Sequence, residues 1–293
     1  MKSGFCAAWL ETREVFDALA RAPELFDWLR PRWTSAAPLR VLDLGAGTGS
    51  NLRYLAPRWG GAQDWTLVDH DPTLLARVPV QLHASAWSSS RHYSVNGLSV
   101  STAPNADPIQ VETRHADLVT ALAGLPWGRV DLVTASALLD LVSAPWLAAL
   151  IARCQSARAD VLFALSYNGR IDLRPRDPLD SQLREWVNRH QLTDKGFGPA
   201  LGPGAVAEAN ALLTASGYEV RQRSSDWVIP SEAYDMQRYL FDGWVAAAIA
   251  LEPDAASTIE AWRARRETWL DQGVSGIVVG HVDLAARWAG GDA

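Results

Sequence analysis

Two cysteines in 293 residues, Cys6 and Cys154, are too few and too far apart for a disulfide framework or a Cys-x-x-Cys metal clamp. Lysine is as scarce: Lys2 and Lys195 are the only two, and arginine carries the rest of the basic charge. Positive charge is also outweighed. With 27 Lys and Arg against 33 Asp and Glu the formal net charge is −6, so no global basic field invites a nucleic-acid backbone or an anionic membrane surface. No apolar run approaches the roughly eighteen residues of a membrane-spanning helix, and no apolar h-region opens the chain. These absences predict a soluble, cytoplasmic protein with no metal site and with neither nucleic acid nor membrane as partner.

Hydrophobic residues make up 48% of the chain and charged ones 20%, enough for a sizeable core and too apolar for disorder. The length suits one α/β domain with additions. The strongest local pattern is Leu39-Arg40-Val41-Leu42-Asp43-Leu44-Gly45-Ala46-Gly47-Thr48-Gly49-Ser50-Asn51-Leu52. Its apolar run predicts a buried strand and its alternating glycines a tight turn. Asn51-Leu52-Arg53-Tyr54-Leu55-Ala56 then has helical spacing before Pro57. In that geometry a backbone can approach a ligand closely. A dinucleotide turn wants its third glycine where this chain has Ser50, so the match to an NAD site is poor. Asp43 would repel a pyrophosphate and better suits a ligand with an ammonium group or donor hydroxyls.

Acidic residues recur at strand ends. Trp65-Thr66-Leu67-Val68-Asp69-His70-Asp71 predicts a second strand, its Asp69 placed 20 residues after Gly49, where a carboxylate can accept from both ribose hydroxyls. Residues 109–118 alternate as a third strand ending in Ala116-Asp117-Leu118; 128–136 form a fourth ending at Ser136. A fifth, 160–167, ends at Tyr167, with Asn168-Gly169 turning out of it. Asn96-Gly97 predicts a surface hairpin that carries His92 and Tyr93. Ahead of the first strand, residues 5–29 read as one or two amphipathic helices with Trp9 and Arg13 among them. Cys154 falls inside a helix at 145–157 and is expected to be buried.

Beyond the fifth strand, residues 170–204 look like an insertion able to close a site. Its helix passes Leu183, Trp186 and Val187 and runs into a loop holding Asn188, His190, Asp194 and Lys195. His190 can serve as a general base near neutral pH, with Asp194 to orient it. A helix at 204–216, a strand from 218 toward 230, a long helical segment at 231–272 and a closing strand at 276–284 complete the chain. Most of the 14 tryptophans are expected in the core, and the Trp-rich C-terminal helices offer a homodimer face.

Asp-x-Gly-x-Gly-x-Gly closely resembles the first motif of class I S-adenosylmethionine (SAM)-dependent methyltransferases. The resemblance implies an α/β, Rossmann-like fold: a doubly wound, mainly parallel seven-stranded sheet with an antiparallel last strand. It divides the chain into a helical N-terminal lid, 1–37, and a methyltransferase domain, 38–293, with insertions at about 80–106, 170–204 and 231–272. It also implies SAM as cofactor and a small molecule as methyl acceptor. Asp43, Gly45, Gly47 and Gly49 would hold the methionine end, Asp69 the ribose, and Asp117 with Leu118 the adenine, with Ala46, Asn51, His70 and Ser136 also on the cofactor. Trp9, Arg13, Tyr167, Asn188 and His190 would bound the acceptor, with His190 catalytic. The loop after the fourth strand shows neither the prolines and aromatic of nucleobase amino-methylation nor a Pro-Cys nucleophile, which weighs against nucleic acid. An NAD-dependent oxidoreductase on a related sheet and a SAM-binding protein without turnover are the competing expectations.

Overall fold

Short apolar runs that alternate with amphipathic segments can bury their apolar faces by layering helices on both sides of a sheet. A computed structural model describes residues 6–33, 37–85, 92–99 and 107–290. It begins with α1 (Ala7–Ala20) and α2 (Pro23–Leu29), then β1 (Leu39–Leu44), α3 (Ser50–Trp59) and β2 (Gln63–Asp69). Two short helices, α4 (Pro72–Leu75) and α5 (Val78–Ala84), precede β3 (His92–Val95), β4 (Leu98–Ser99) and β5 (Pro108–His115). Next come α6 (Leu118–Ala121), β6 (Leu132–Ser136), α7 (Ala144–Ala157), β7 (Asp160–Arg174), α8 (Asp180–Gln191) and α9 (Ala205–Ala215). The last elements are β8 (Tyr218–Ser224), β9 (Trp227–Ile229), α10 (Tyr234–Leu251), α11 (Ala256–Asp271) and β10 (Gly276–Trp288).

The sheet has ten strands in the order β4-β3-β5-β2-β1-β6-β7-β10-β8, with β9 paired to β10. Strands β5, β2, β1, β6 and β7 are parallel, and β10 runs antiparallel to β7, β8 and β9. The mainly parallel sheet with an antiparallel last strand is thus present; the β3–β4 hairpin and β9 are additions to its seven strands. Strand order reverses beside β1, so the carboxyl ends of β1, β2 and β6 form the crevice in which such sheets bind ligands.

Three apolar clusters hold the layers. Leu147, Leu150, Ile151, Cys154, Ala209 and Leu213 from α7 and α9 pack on one face. Leu25, Leu29, Leu52, Leu55 and Leu82 from α2, α3 and α5 pack on the other. The third surrounds the extended ends of β7 and β10, where Trp186, Phe241, Trp244 and Trp262 close a lobe built by α8, α10 and α11. Trp262 is wholly buried, with its indole N–H donating to Asp180 Oδ1 at 2.8 Å. Tryptophans of the C-terminal helices are therefore spent largely inside the protein's own core.

Four local expectations need correction. The fifth strand does not turn out at Asn168-Gly169 but continues to Arg174, because these residues bulge against β10, whose register shifts between Val279 and His281. Glycine is required opposite the bulge: a Cβ on Gly280 would lie 2.2 Å from Asn168 Oδ1. The hairpin is no surface excursion, since β3 pairs in parallel with β5 and buries Tyr93 completely. Helix α3 passes Pro57 and ends at Trp59, which stacks on Phe26 and Trp65 at 5.1 and 5.9 Å. The segment 231–272 breaks at Pro253 into α10 and α11. Phe5 and parts of the lid and of the first insertion (34–36, 86–91 and 100–106) lie outside the described residues.

Candidate active site

The loop between β1 and α3 is set by its glycines. Gly45, Gly47 and Gly49 have φ of +68°, +54° and +81°, a region that side chains with a Cβ rarely enter. Helix α1 lies across this loop: a Cβ on Gly47 would stand 3.4 Å from Leu10 Cδ1. Glu14 of α1 takes a bidentate pair from Arg53 of α3, whose guanidinium also donates to the Thr48 carbonyl. Ala46 is buried, and its backbone N–H donates to the Val68 carbonyl at 3.0 Å, tying the loop to β2.

Beneath the loop lies a buried polar chain. Asp43, 1% exposed, accepts at Oδ1 from Asn51 Nδ2 (2.9 Å), while its Oδ2 has no hydrogen-bond partner. Burial, only partly offset by Asn51 and Arg21, pushes its carboxyl up to about 7. Asn51 Nδ2 also donates to Thr134 Oγ1 at 3.1 Å, and its Oδ1 accepts from Arg21 Nη1 at 3.0 Å. Arg21, just past α1, stands with its Nε 3.5 Å from Asp283 Oδ2 on β10. Arg21, Ser50, Asn51, Tyr54 and Ser136 line a common cavity of about 680 Å³.

Along the carboxyl edge of the sheet the next acid is Asp69, ending β2. Its two oxygens accept the backbone amides of Gly47 (2.8 Å) and Asp71 (2.9 Å), and each retains a further lone pair. His70 Nδ1 stands 3.3 Å from Asp69 Oδ1, with its ring largely in solvent. On the neighbouring β5, His115 is in register with Asp69, which places Asp117 two residues beyond. Asp117 is exposed and caps α6, accepting from the Val119 amide at 2.9 Å. Leu118 is buried, and its carbonyl accepts from Trp146 Nε1 at 2.9 Å.

A second cluster forms under the other flank of α1. Arg13 pairs with Asp17, and its guanidinium lies 4.9 Å from the Trp227 ring, whose N–H donates to the same Asp17. Trp9 meets Trp227 at 6.2 Å and Tyr239 at 5.4 Å. Trp227 in turn covers His281 at 4.5 Å, and Tyr167 approaches that imidazole edge-on at 6.2 Å. The Tyr167 hydroxyl donates to Asn188 Oδ1 at 2.7 Å. Trp9, Arg13, Tyr167 and Asn188, spread over three elements, are thereby gathered around one place.

The structure does not pair His190 with Asp194. Asp194 Oδ1 accepts the amides of Gly196 and Gly198 and folds its own loop instead of reaching His190. Lys195 Nζ stands 3.3 Å from His190 Nδ1 and 2.9 Å from the His190 carbonyl. Partial burial and that ammonium hold the His190 pKa below the ordinary range. An ammonium can only donate, so Nδ1 accepts and the ring proton sits on Nε2, which leaves no basic nitrogen for a substrate. His281 is the opposite tautomer: its Nδ1 donates to the Val279 carbonyl at 3.1 Å. Burial and the charge of Arg13 drive the His281 pKa down to about 3, so it is neutral with an Nε2 lone pair.

Arg21, Lys195, Trp227, His281 and Asp283 belong to these clusters and are not marked by local pattern, and buried Asp140 lies in the electrostatic field of Arg13 and Lys195. Asp140 did carry one signal, as the lone acid within Ala137-Leu138-Leu139-Asp140-Leu141-Val142. Among the described residues no three His, Cys, Asp or Glu side chains gather as metal ligands, and no helix is long and apolar enough to cross a membrane.

No family model matches the chain, and no curated protein matches it. Solved structures similar to it include the cyclopropane synthase MmaA2 from Mycobacterium tuberculosis, 12% identical over 90% of this chain and 83% of that one, with a TM-score of 0.43. A SAM-dependent methyltransferase from Thiobacillus denitrificans, in complex with S-adenosyl-L-homocysteine (SAH), is 16% identical over 97% and 99% with a TM-score of 0.44. Geranyl diphosphate C-methyltransferase from Streptomyces coelicolor A3(2) is 12% identical over 91% and 77% with a TM-score of 0.45. Likenesses this distant do not decide what this chain does.

Proposed function

We propose that the chain binds SAM and transfers its methyl group to a small-molecule acceptor, in the manner of class I methyltransferases. The observation that carries this is the unpaired, buried Oδ2 of Asp43 under a left-handed glycine turn. A buried carboxylate oxygen without a donor is costly unless a ligand supplies one, and an ammonium group does. Asn51 links that carboxylate to Arg21, so a negative and a positive group stand ready together, the complement of an amino-acid head group. Asp69 at the next strand end offers spare lone pairs to a ribose diol. A pyrophosphate would instead meet Asp43, which counts against NAD.

SAM, when bound, supplies a methyl group already activated on a sulfonium. The chain's task is to hold the acceptor in line with it and exclude water, and such positioning can contribute roughly 7–11 kcal/mol. Helix α1 serves both needs, since it covers the glycine loop through Leu10 and the second cluster through Trp9 and Arg13.

Thermal unfolding tests the cofactor. SAM or SAH at a thousandfold excess over Kd should stabilise the protein by about 4 kcal/mol, and NAD should not; stabilisation by NAD alone would overturn the proposal. Turnover is tested with methyl-labelled SAM and a metabolite extract read by mass spectrometry, where binding without transfer would favour a non-catalytic protein.

The titration of Asp43 makes a separate test. Only its ionised form pairs with an ammonium, and its carboxyl is pushed up to about 7. Affinity for SAH should therefore fall as pH drops through 7, becoming about tenfold weaker at pH 6 than at pH 8. Calorimetry on the wild type and on Asp43→Asn, which should bind weakly at both pH values, checks the sign.

A further inference from the structure

Asp140 sits in the turn after β6, four residues beyond Ser136 of the cofactor-side cavity, and is 6% exposed. Its Oδ1 is buried without a hydrogen-bond partner, although every other polar group of this cluster described above is engaged or held neutral. Two positive charges act on it. Arg13, itself paired with Asp17, exerts its charge on it from α1, and Lys195 from the loop after α8. The Tyr167 backbone N–H on β7 donates to its carboxylate, and His281 on β10 is uncharged.

We propose that Asp140 is the general base of the acceptor site and that the acceptor is a neutral aromatic hydroxyl, a phenol or catechol; this rests on the methyl-transfer function proposed above. Arg13, Asp17, Lys195 and ionised Asp140 sum to zero, so a neutral acceptor enters without burying net charge. An ammonium acceptor would leave an extra positive charge beside Arg13 and Lys195, at the desolvation cost of an unpaired ion. The rings of Trp9, Trp227, Tyr239 and Tyr167 make the cluster rich in aromatic contacts, surroundings suited to an aryl acceptor.

In the step, the hydroxyl proton moves to Asp140 Oδ1 as the oxygen's electron pair forms the O–CH3 bond. The C–S bond breaks toward sulfur, which leaves an aryl methyl ether, a thioether and a protonated Asp140. Negative charge passes from carboxylate to phenolate oxygen within the field of the same two cations, so the net charge of the cluster is constant until the methyl arrives. Burial pushes the Asp140 carboxyl up to about 6, against the pull of Arg13 and Lys195, so at neutral pH it is ionised and still a competent base. His281 is too weak a base, and His190 Nδ1 is taken by Lys195.

The test uses the full-length protein and its Asp140→Asn variant. SAH binding is measured by calorimetry, then methylation of 4-methylphenol, catechol, 4-nitrophenol and phenethylamine with labelled SAM. Wild type should methylate 4-methylphenol or catechol, more slowly as pH falls below about 6, and leave the amine untouched. Asp140→Asn should bind SAH normally and lose about a hundredfold in rate on 4-methylphenol. It should keep most of its rate on 4-nitrophenol at pH 8, where that acceptor ionises without help. Equal losses on both phenols would make Asp140 a structural residue, and no loss on 4-methylphenol would remove it from the reaction; either overturns the proposal. So does a wild type that binds SAH but methylates the amine alone or no acceptor at all. Failure of the wild type to bind SAH is a different result, and it removes the cofactor on which the proposal stands.

Discussion

Replacing Asp283 with alanine is expected to cost about 3–5 kcal/mol of folding stability and to release α1 from the body of the protein. Asp283 is 2% exposed on β10 and accepts three ways. Its Oδ1 takes the Leu165 amide at 2.7 Å, at a residue held in the left-handed region (φ 54°). Its Oδ2 takes the Ala22 amide at 3.0 Å, at the junction of α1 and α2, and faces the Arg21 guanidinium. Alanine would strand two buried amides and a buried cation left with Asn51 as its remaining polar contact. Removing one partner of a buried pair is far costlier than the pair's net worth, because the other partner stays desolvated. Urea unfolding measures the loss, and hydrogen exchange across α1 should show early opening of that helix. Asp283→Asn, which keeps one carbonyl acceptor, should fall between. A shift below about 1 kcal/mol with α1 still protected would mean that this latch does not hold the helix.

Asp69→Ala is expected to weaken SAH binding by about tenfold to a hundredfold, or roughly 1.4–2.8 kcal/mol. The carboxylate works twice here: it braces the glycine loop through the Gly47 amide and leaves lone pairs for a diol. A double-mutant cycle separates the two. SAH lacking its 2′-hydroxyl should bind the wild type more weakly than SAH does, yet bind Asp69→Ala about as well as SAH does. Equal losses in both proteins would assign Asp69 to the loop alone, and an unchanged SAH affinity would remove it from the site.

Much of this was legible along the chain because it is local. A strand, a turn that needs positive φ at three glycines and a helix are fixed by neighbours in sequence. So is the placement of Asp43, Asp69, Asp117 and Ser136 at or just past the ends of consecutive parallel strands. Misreadings arose where distant partners overruled a local signal. Asn168-Gly169 has turn chemistry, but Gly280 on β10 leaves room for it as a bulge, and sheet pairing carries β7 onward. Asp194 lies within reach of His190 in sequence, yet its carboxylate satisfies two amides of its own glycine-rich loop, and Lys195 takes the imidazole instead.

By itself, then, the sequence determined the layered α/β sheet, the glycine turn and the acids along its carboxyl edge, because periodicity and backbone conformation depend on adjacent residues. Only the tertiary structure decided which groups meet under α1. Arg21 reaches Asp283, and the charges of Arg13 and of half-buried Lys195 act on buried Asp140, although these residues lie tens to hundreds of positions apart. Burial is what gives those groups their chemistry: it leaves one oxygen each of Asp140 and Asp43 without a partner, raises both carboxyls and makes His281 neutral. No local pattern encodes burial of that kind, since it is conferred by helices and strands from the opposite end of the chain.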